Sequence, residues 1–275
     1  MSLLISTNVF DKVEDWAKIH DLIKAVKYDD KGIEIFPLWD QEGFEELLEK
    51  NEEYLKGMKI TFHGAYYGVE PSAPKNTKEY YKSIVQNKKT IDWCNRLNGK
   101  FVVHHHNNRK IPTEEREQII KNSDVQLKEL TDYANKNSVA LFIENVGVNS
   151  NGNNLWTDDE FIEMSLSIPN PILIDVGHAN ANNWDIEKII VALKDKIIAY
   201  HLHNNYGIYD SHNRIREGSF DFEKFIRLYK LFTPDKDLTL EYSDRYKDEI
   251  DYIAQDAEWL IDNLNRCDRS AAILY

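Results

Sequence analysis

The sequence is short of cysteine: 275 residues contain two, Cys94 and Cys267. That excludes a disulfide framework and a thiolate metal site, and it favours a reducing, cytoplasmic setting. Cys94 falls in a helical pattern, Thr90-Ile91-Asp92-Trp93-Cys94, and reads as a core residue. No apolar run approaches the roughly 18 residues of a membrane-spanning helix. The N-terminus, Met1-Ser2-Leu3-Leu4-Ile5-Ser6-Thr7, has no basic segment ahead of a long apolar stretch, so it reads as a first strand rather than a signal peptide. Positive charge is in deficit as well. Lys and Arg total 34 against 47 Asp and Glu, a formal net charge of −13. Such a surface repels phosphate backbones, which disfavours nucleic acid as a partner without excluding a local basic groove. A Gly-x-Gly loop is absent after the first apolar run, where Thr7-Asn8-Val9-Phe10 stands, so the signature of a doubly wound dinucleotide fold is missing.

Eight short apolar runs are present, at 3–6, 32–36, 60–62, 101–103, 140–143, 172–174, 197–201 and 238–241. Each is mostly apolar on both faces, as in parallel strands covered on both sides. Amphipathic segments lie between them. Segment 11–26 carries Val13, Trp16, Ile19, Leu22, Ile23 and Val26 at helical spacing. Segment 113–135 opens with Thr113 and an acidic first turn. Segments 185–193, 222–231 and 246–264 repeat the pattern. Eight such units with no linker predict a single α/β domain over residues 1–275, a (β/α)₈ TIM barrel, with residues 268–275 peripheral. A homo-oligomer is compatible with this reading.

Of nine histidines, only His20 falls inside a predicted helix. The others gather at or just beyond the C-terminal ends of predicted strands, which form one ring in a barrel. Strand three ends in His63, and strand four in His104, His105 and His106. Strand five ends in Glu144-Asn145, and strand six in Asp175-Val176-Gly177-His178. Strand seven carries His201-Leu202-His203, with Asp210-Ser211-His212 in its loop. Strand eight ends in Glu241. Taken alone, each residue is as easily a rim charge or a hydrogen-bonding side chain. Together they place Glu144, Asp175 and Glu241 in one pocket. Ionised carboxylates sharing a dry pocket pair, take up protons or bind metal. Imidazole mixed with carboxylate suits Zn²⁺, Mn²⁺, Co²⁺ or Fe²⁺. His105, His106 and His203 are expected to support the ligands or touch substrate.

The stretch His201-Leu202-His203-Asn204-Asn205, with Asp210-Ser211-His212 and Glu217-Gly218 beyond it, resembles the xylose-isomerase-like TIM barrels. That superfamily includes sugar (phosphate) isomerases and epimerases and the endonuclease IV family of apurinic-site nucleases. Asn204 stands where the family usually has Asp, and Arg216-Glu217-Gly218 keeps one of two usual glycines. The epimerase branch implies one ion held by Glu144, Asp175, His201 and Glu241, with Glu144 and Glu241 as the catalytic acid–base pair. The endonuclease branch implies three zinc ions and adds His63, His104, His178, Asp210 and His212. The expected cofactor is Zn²⁺ or Mn²⁺, one to three ions. The favoured expectation is a sugar or sugar-phosphate isomerase or epimerase, with His203, Tyr66, Trp39, Asn145 and Arg109 contacting substrate and Phe36 and Tyr206 walling the pocket. Phosphoester hydrolysis is the second reading, opposed by the acidic charge, and a non-catalytic sugar or metal binder is the third.

Overall fold

In the computed structural model, residues 1–266 are described; Cys267 and the 268–275 segment lie outside them. Eight parallel strands close into a barrel in sequence order. They are β1 Leu3–Ser6, β2 Lys31–Ile35, β3 Lys59–His63, β4 Phe101–His104, β5 Ala140–Glu144, β6 Ile172–Asp175, β7 Ile197–Leu202 and β8 Asp237–Leu240. The helices are α1 Ile19–Ala25, α2 Phe44–Lys50, α3 Glu52–Lys56, α4 Lys78–Arg96, α5 Arg116–Lys136, α6 Asp158–Ser167, α7 Val176–Ala181, α8 Ile186–Leu193, α9 Phe222–Phe232 and α10 Ile250–Asn265. No helix among the described residues is long and apolar enough to cross a membrane.

Some predicted helices begin later than expected. Segment 11–26 opens as the 3₁₀ turn Val13–Lys18 before α1. There Asp15 pairs with Lys18 at 3.4 Å and with Lys247 at 3.0 Å. The last helix starts at Ile250, because Asp244–Tyr246 forms a 3₁₀ turn and Tyr246 donates to Glu217 at 2.7 Å.

Alternation along each strand divides the barrel into two layers. Ile33, Ile60, Phe62, Val102, Leu141, Ile143, Ile174, Tyr200, Leu238 and Leu240 join the core between barrel and helices. Phe101, Val103, Phe142, Leu173 and Ala199 form a second cluster inside the barrel. Phe101 and Phe142 stack there with centroids 4.0 Å apart. Below this plug, Asp237 accepts from the Ser2 backbone at 2.7 Å and from Lys100 at 2.8 Å. Above it, the inward row is Glu34, His63, Glu144, Asp175, His201 and Glu241, all buried. An apolar floor thus seals one end, and the polar side chains are confined to the mouth at the C-terminal ends.

Candidate metal centre

Strand register decides which side chains enter the mouth. His63 pairs with Val103, Glu144 with Leu173, and Asp175 with His201, so all share the inward face. Three groups of ligand atoms result, each within 4.8 Å of one another: His63, His105 and Glu144; Glu144, Asp175, His201 and Glu241; His178, His203, Asp210 and His212. Glu144 belongs to two of them.

His104 is the departure from expectation. It pairs with Ile143, whose side chain lies in the outer layer. His104 therefore faces the helices and joins none of the groups. Burial, with His106 and His105 nearby, holds its imidazole well below the usual range. His105, one residue later, takes the inward place. Alternation from Val103 carried this signal. His106 also serves the helix layer, with Nδ1 3.2 Å from Ser123 Oγ and its ring edge-on to Trp156.

Tautomers are fixed by what surrounds each ring. His63 Nδ1 lies 2.8 Å from the Gly64 carbonyl and His105 Nδ1 lies 2.8 Å from Asn108 Oδ1. Both partners accept only, so each Nδ1 carries hydrogen and Nε2 is the nitrogen each neutral ring would offer to an ion. Those two Nε2 atoms are 3.0 Å apart, and His105 Nε2 is 3.0 Å from Glu144 Oε2. In this buried space a cation is what the group favours: a metal ion bound by the neutral rings and Glu144, or, without one, a proton on His63, which Glu144, Glu241 and Glu34 push up against burial. His201 repeats the logic. Its Nε2 sits 3.0 Å from Glu34 Oε1. Its Nδ1 then aims at Glu241 Oε2 (3.2 Å), Glu144 Oε1 (3.4 Å) and Asp175 Oδ2 (3.9 Å). The donor sets fit mixed nitrogen–oxygen coordination of a divalent ion.

Without such an ion, the carboxylates and rings perturb one another. Burial alone would push Glu144 up, but His201 and His105 hold it well below the carboxylate range. Burial would likewise raise Glu241, and His201 and His212 push it down. Burial would lower His201, yet Glu34, Glu241 and Glu144 raise it well above the imidazole range. His212 is raised to about 9, burial opposing and Asp210 prevailing. The pocket favours positive charge wherever it can be placed.

The open part of the mouth is a cleft of about 290 Å³ whose lining includes His63, Tyr66, His105, Glu144, His178, Asp210, His212 and Glu241. Phe36 stacks on His63 with centroids 4.2 Å apart and also lines it. Asn8, Asn151 and Asn153 complete its polar wall, and no sequence signal set them apart.

Four expected substrate contacts sit elsewhere. Trp39 packs edge-on against Phe44 and donates to Thr90 Oγ1 at 2.8 Å, outside the cleft. Arg109 faces Glu115 at 3.6 Å, away from the lining. Asn145 exchanges hydrogen bonds with the Asp175 backbone (2.7 and 2.9 Å) and so ties β5 to β6. His203 is fully buried within the third group rather than on the cleft wall. Tyr206, expected as pocket wall, is 71% exposed. His178, expected at the end of strand six, stands on α7. That helix starts directly from Asp175, whose carboxylate caps it by accepting from the His178 backbone at 2.6 Å.

Glu34 escaped sequence reasoning. Its signal was a single carboxylate inside the apolar run Gly32-Ile33-Glu34-Ile35-Phe36, at an inward position.

A profile of the xylose isomerase-like TIM barrel family matches residues 21–263. No curated protein sequence matches significantly. Among solved structures, a D-tagatose 3-epimerase-like protein superposes with a TM-score of 0.73 at 20% identity, over 96% of this chain and 100% of its own. The IolI protein with a bound zinc atom gives 0.77 at 20% identity, over 96% and 98%. The D-allulose 3-epimerase of Methylomonas sp. gives 0.72 at 16% identity, over 96% and 98%. At these identities the likeness establishes the barrel fold.

Proposed function

The chain belongs to the xylose isomerase-like TIM barrels, and from that premise we propose that it is a divalent-metal-dependent isomerase or epimerase of a sugar or sugar phosphate. The observation that carries this is the second group: Glu144 and Glu241, both buried, share one ligand cluster with Asp175 and His201 and both border the cleft. A bound Zn²⁺ or Mn²⁺ would polarise a substrate carbonyl and stabilise the enediolate that follows proton loss. Glu144 and Glu241 then serve as the proton pair: one removes the proton beside the carbonyl and the other returns it. Their lowered pKa values keep each ionised at neutral pH and able to accept, so the one that returns a proton to the opposite face first takes it up from solvent. Phe36 and Tyr66 provide apolar walls that keep water from the reacting carbon. A cleft of about 290 Å³ suits a small molecule. The related structures named for D-tagatose 3-epimerase-like and D-allulose 3-epimerase proteins support the substrate class.

A second reading, phosphoester hydrolysis, is favoured by one observation: two further ligand groups flank the first, and one of them shares Glu144 with it. One experiment separates the two. The protein, loaded in turn with Zn²⁺, Mn²⁺ and Co²⁺, is incubated in D₂O with ketoses and their phosphates and followed by proton NMR. Deuterium entering next to the carbonyl supports the isomerase or epimerase. No exchange with any ketose, together with cleavage of simple phosphoesters, establishes the hydrolase instead.

A further inference from the structure

His203 lies outside the ligand pattern that the family resemblance implies. It follows His201 by two residues, so the same alternation points it inward. It is fully buried. The chain makes room for it at Gly177, where a Cβ would fall 2.0 Å from His203 Cε1. Its ring stacks on His212 with centroids 3.8 Å apart. His203 Nε2 is 3.0 Å from Asp175 Oδ2 and 3.8 Å from Asp210 Oδ1. None of these three atoms has a hydrogen-bond partner. His203 and Asp210 belong, with His178 and His212, to a set whose ligand atoms all lie within 4.8 Å of one another, whereas Asp175 belongs to the Glu144 group. In tetrahedral zinc with bonds of about 2.0–2.1 Å, neighbouring ligand atoms stand about 3.3 Å apart.

We propose that His203 is a fourth ligand of the third group, closing the coordination of a divalent ion held there with His178, Asp210 and His212. The inference rests on the metal-binding part of the function proposed above. Zinc sites with three protein ligands keep a position open for water or substrate, whereas sites with four are closed and structural. The outer ion therefore acts as a staple, and substrate chemistry stays at the Glu144 group. It fastens the loop that leaves β7. That loop is closed at its base by the Asn204–Asn213 backbone pair and is exposed at Tyr206, Ile208 and Tyr209. It also holds His212 at φ 43°, a left-handed conformation that costs a non-glycine residue.

The test is zinc stoichiometry by native mass spectrometry, paired with amide hydrogen exchange of residues 204–213, on wild type, His203→Asn and Gly177→Ala. The second variant displaces the ring without changing its chemistry. Both are expected to lose one equivalent of zinc and the zinc-dependent slowing of loop exchange; the metal-free melting temperature of His203→Asn stays near wild type, whereas that of Gly177→Ala falls, because its Cβ meets the buried ring at 2.0 Å. Anomalous diffraction from zinc-loaded wild-type crystals decides the matter even if both variants fail to fold. A zinc peak about 2.1 Å from His203 Nε2 supports the assignment. A peak bonded to His178, Asp210 and His212 alone overturns it, as do variants with wild-type stoichiometry. A wild type that binds no zinc, manganese or cobalt at all would instead remove the metal-dependent function itself.

Discussion

Glu34 on β2 reaches across the barrel to His201 on β7, Oε1 to Nε2 at 3.0 Å, with both side chains fully buried. The hydrogen bond is to Oε2, which His201 Nε2 meets at 3.1 Å and to which Thr61 also donates at 3.4 Å. The carboxylate fixes which ring nitrogen of His201 keeps its lone pair, and hence which faces Glu144, Asp175 and Glu241. Partners of this kind are typically worth about 10–100-fold in metal affinity. Glu34→Gln retains the shape and removes the charge, so the Glu144 group should bind Mn²⁺ about 10–100-fold more weakly. Calorimetric titration checks it; unchanged affinity would show that Glu34 does not position His201.

The two adjacent histidines should behave oppositely. His105→Ala removes an inward ligand and should lower the metal content. His104→Leu replaces an outward imidazole whose Nε2 has no partner, and should leave metal content at wild-type level with stability changed by about 1 kcal/mol or less. Elemental analysis of both proteins after dialysis is the measurement, and the reverse pattern would place His104 in the mouth.

Glu144 serves two groups and Glu241 one. Glu144→Ala should therefore release more metal than Glu241→Ala. The milder changes Glu144→Gln and Glu241→Gln should each slow solvent deuterium exchange into substrate by roughly 10²–10⁴-fold. A variant that retains full exchange would not have lost one of the proton pair.

Burial, with His105 beside it, pushes His106 down to about 4. The folded chain then keeps this ring neutral while the unfolded chain protonates it near 6.5. Above pH 6.5 the group contributes nothing to pH dependence. Between 6.5 and 4 the unfolded state binds more protons, so stability falls as pH falls, by ~3 kcal/mol in total. Urea midpoints of wild type and His106→Gln at pH 7 and pH 5 should show the variant losing less on acidification. Equal losses would mean that His106 titrates normally in the fold.

Arg214 holds the chain after the β7 loop against α10 by a two-pronged pair to Asp256, at 2.7 and 2.9 Å, which Tyr242 joins at 3.2 Å. Asp256 is fully buried. Asp256→Ala removes the two-pronged partner and leaves the guanidinium with Glu217 at 3.3 Å and the Tyr252 carbonyl at 3.4 Å, and should cost about 3 kcal/mol. A denaturant midpoint within error of wild type would contradict this.

How much was legible varied with the kind of signal. Strand ends were readable because the third to eighth apolar runs each stop at a chemistry-bearing residue, as at His63, Glu144 and Asp175. Which neighbour faces inward was harder to read. Three consecutive histidines, His104 to His106, differ in direction and not in type, and register alone separates them. Trp39 and Arg109 look like substrate contacts by composition, but their loops carry them to other partners.

The sequence by itself determined the barrel, because eight apolar runs alternating with amphipathic segments can bury both strand faces in few other ways. It also determined the mixed imidazole–carboxylate character of the mouth, because strand ends of a barrel meet on one rim. Tertiary structure alone decided the grouping of those residues, the turn of His104 away and His105 inward, and the pairing of Glu34 with His201. The reason is physical. Composition and period fix which face of an element is apolar, but contacts between residues 167 positions apart, such as Glu34 and His201, exist only once closure and stagger of the strands set their distance.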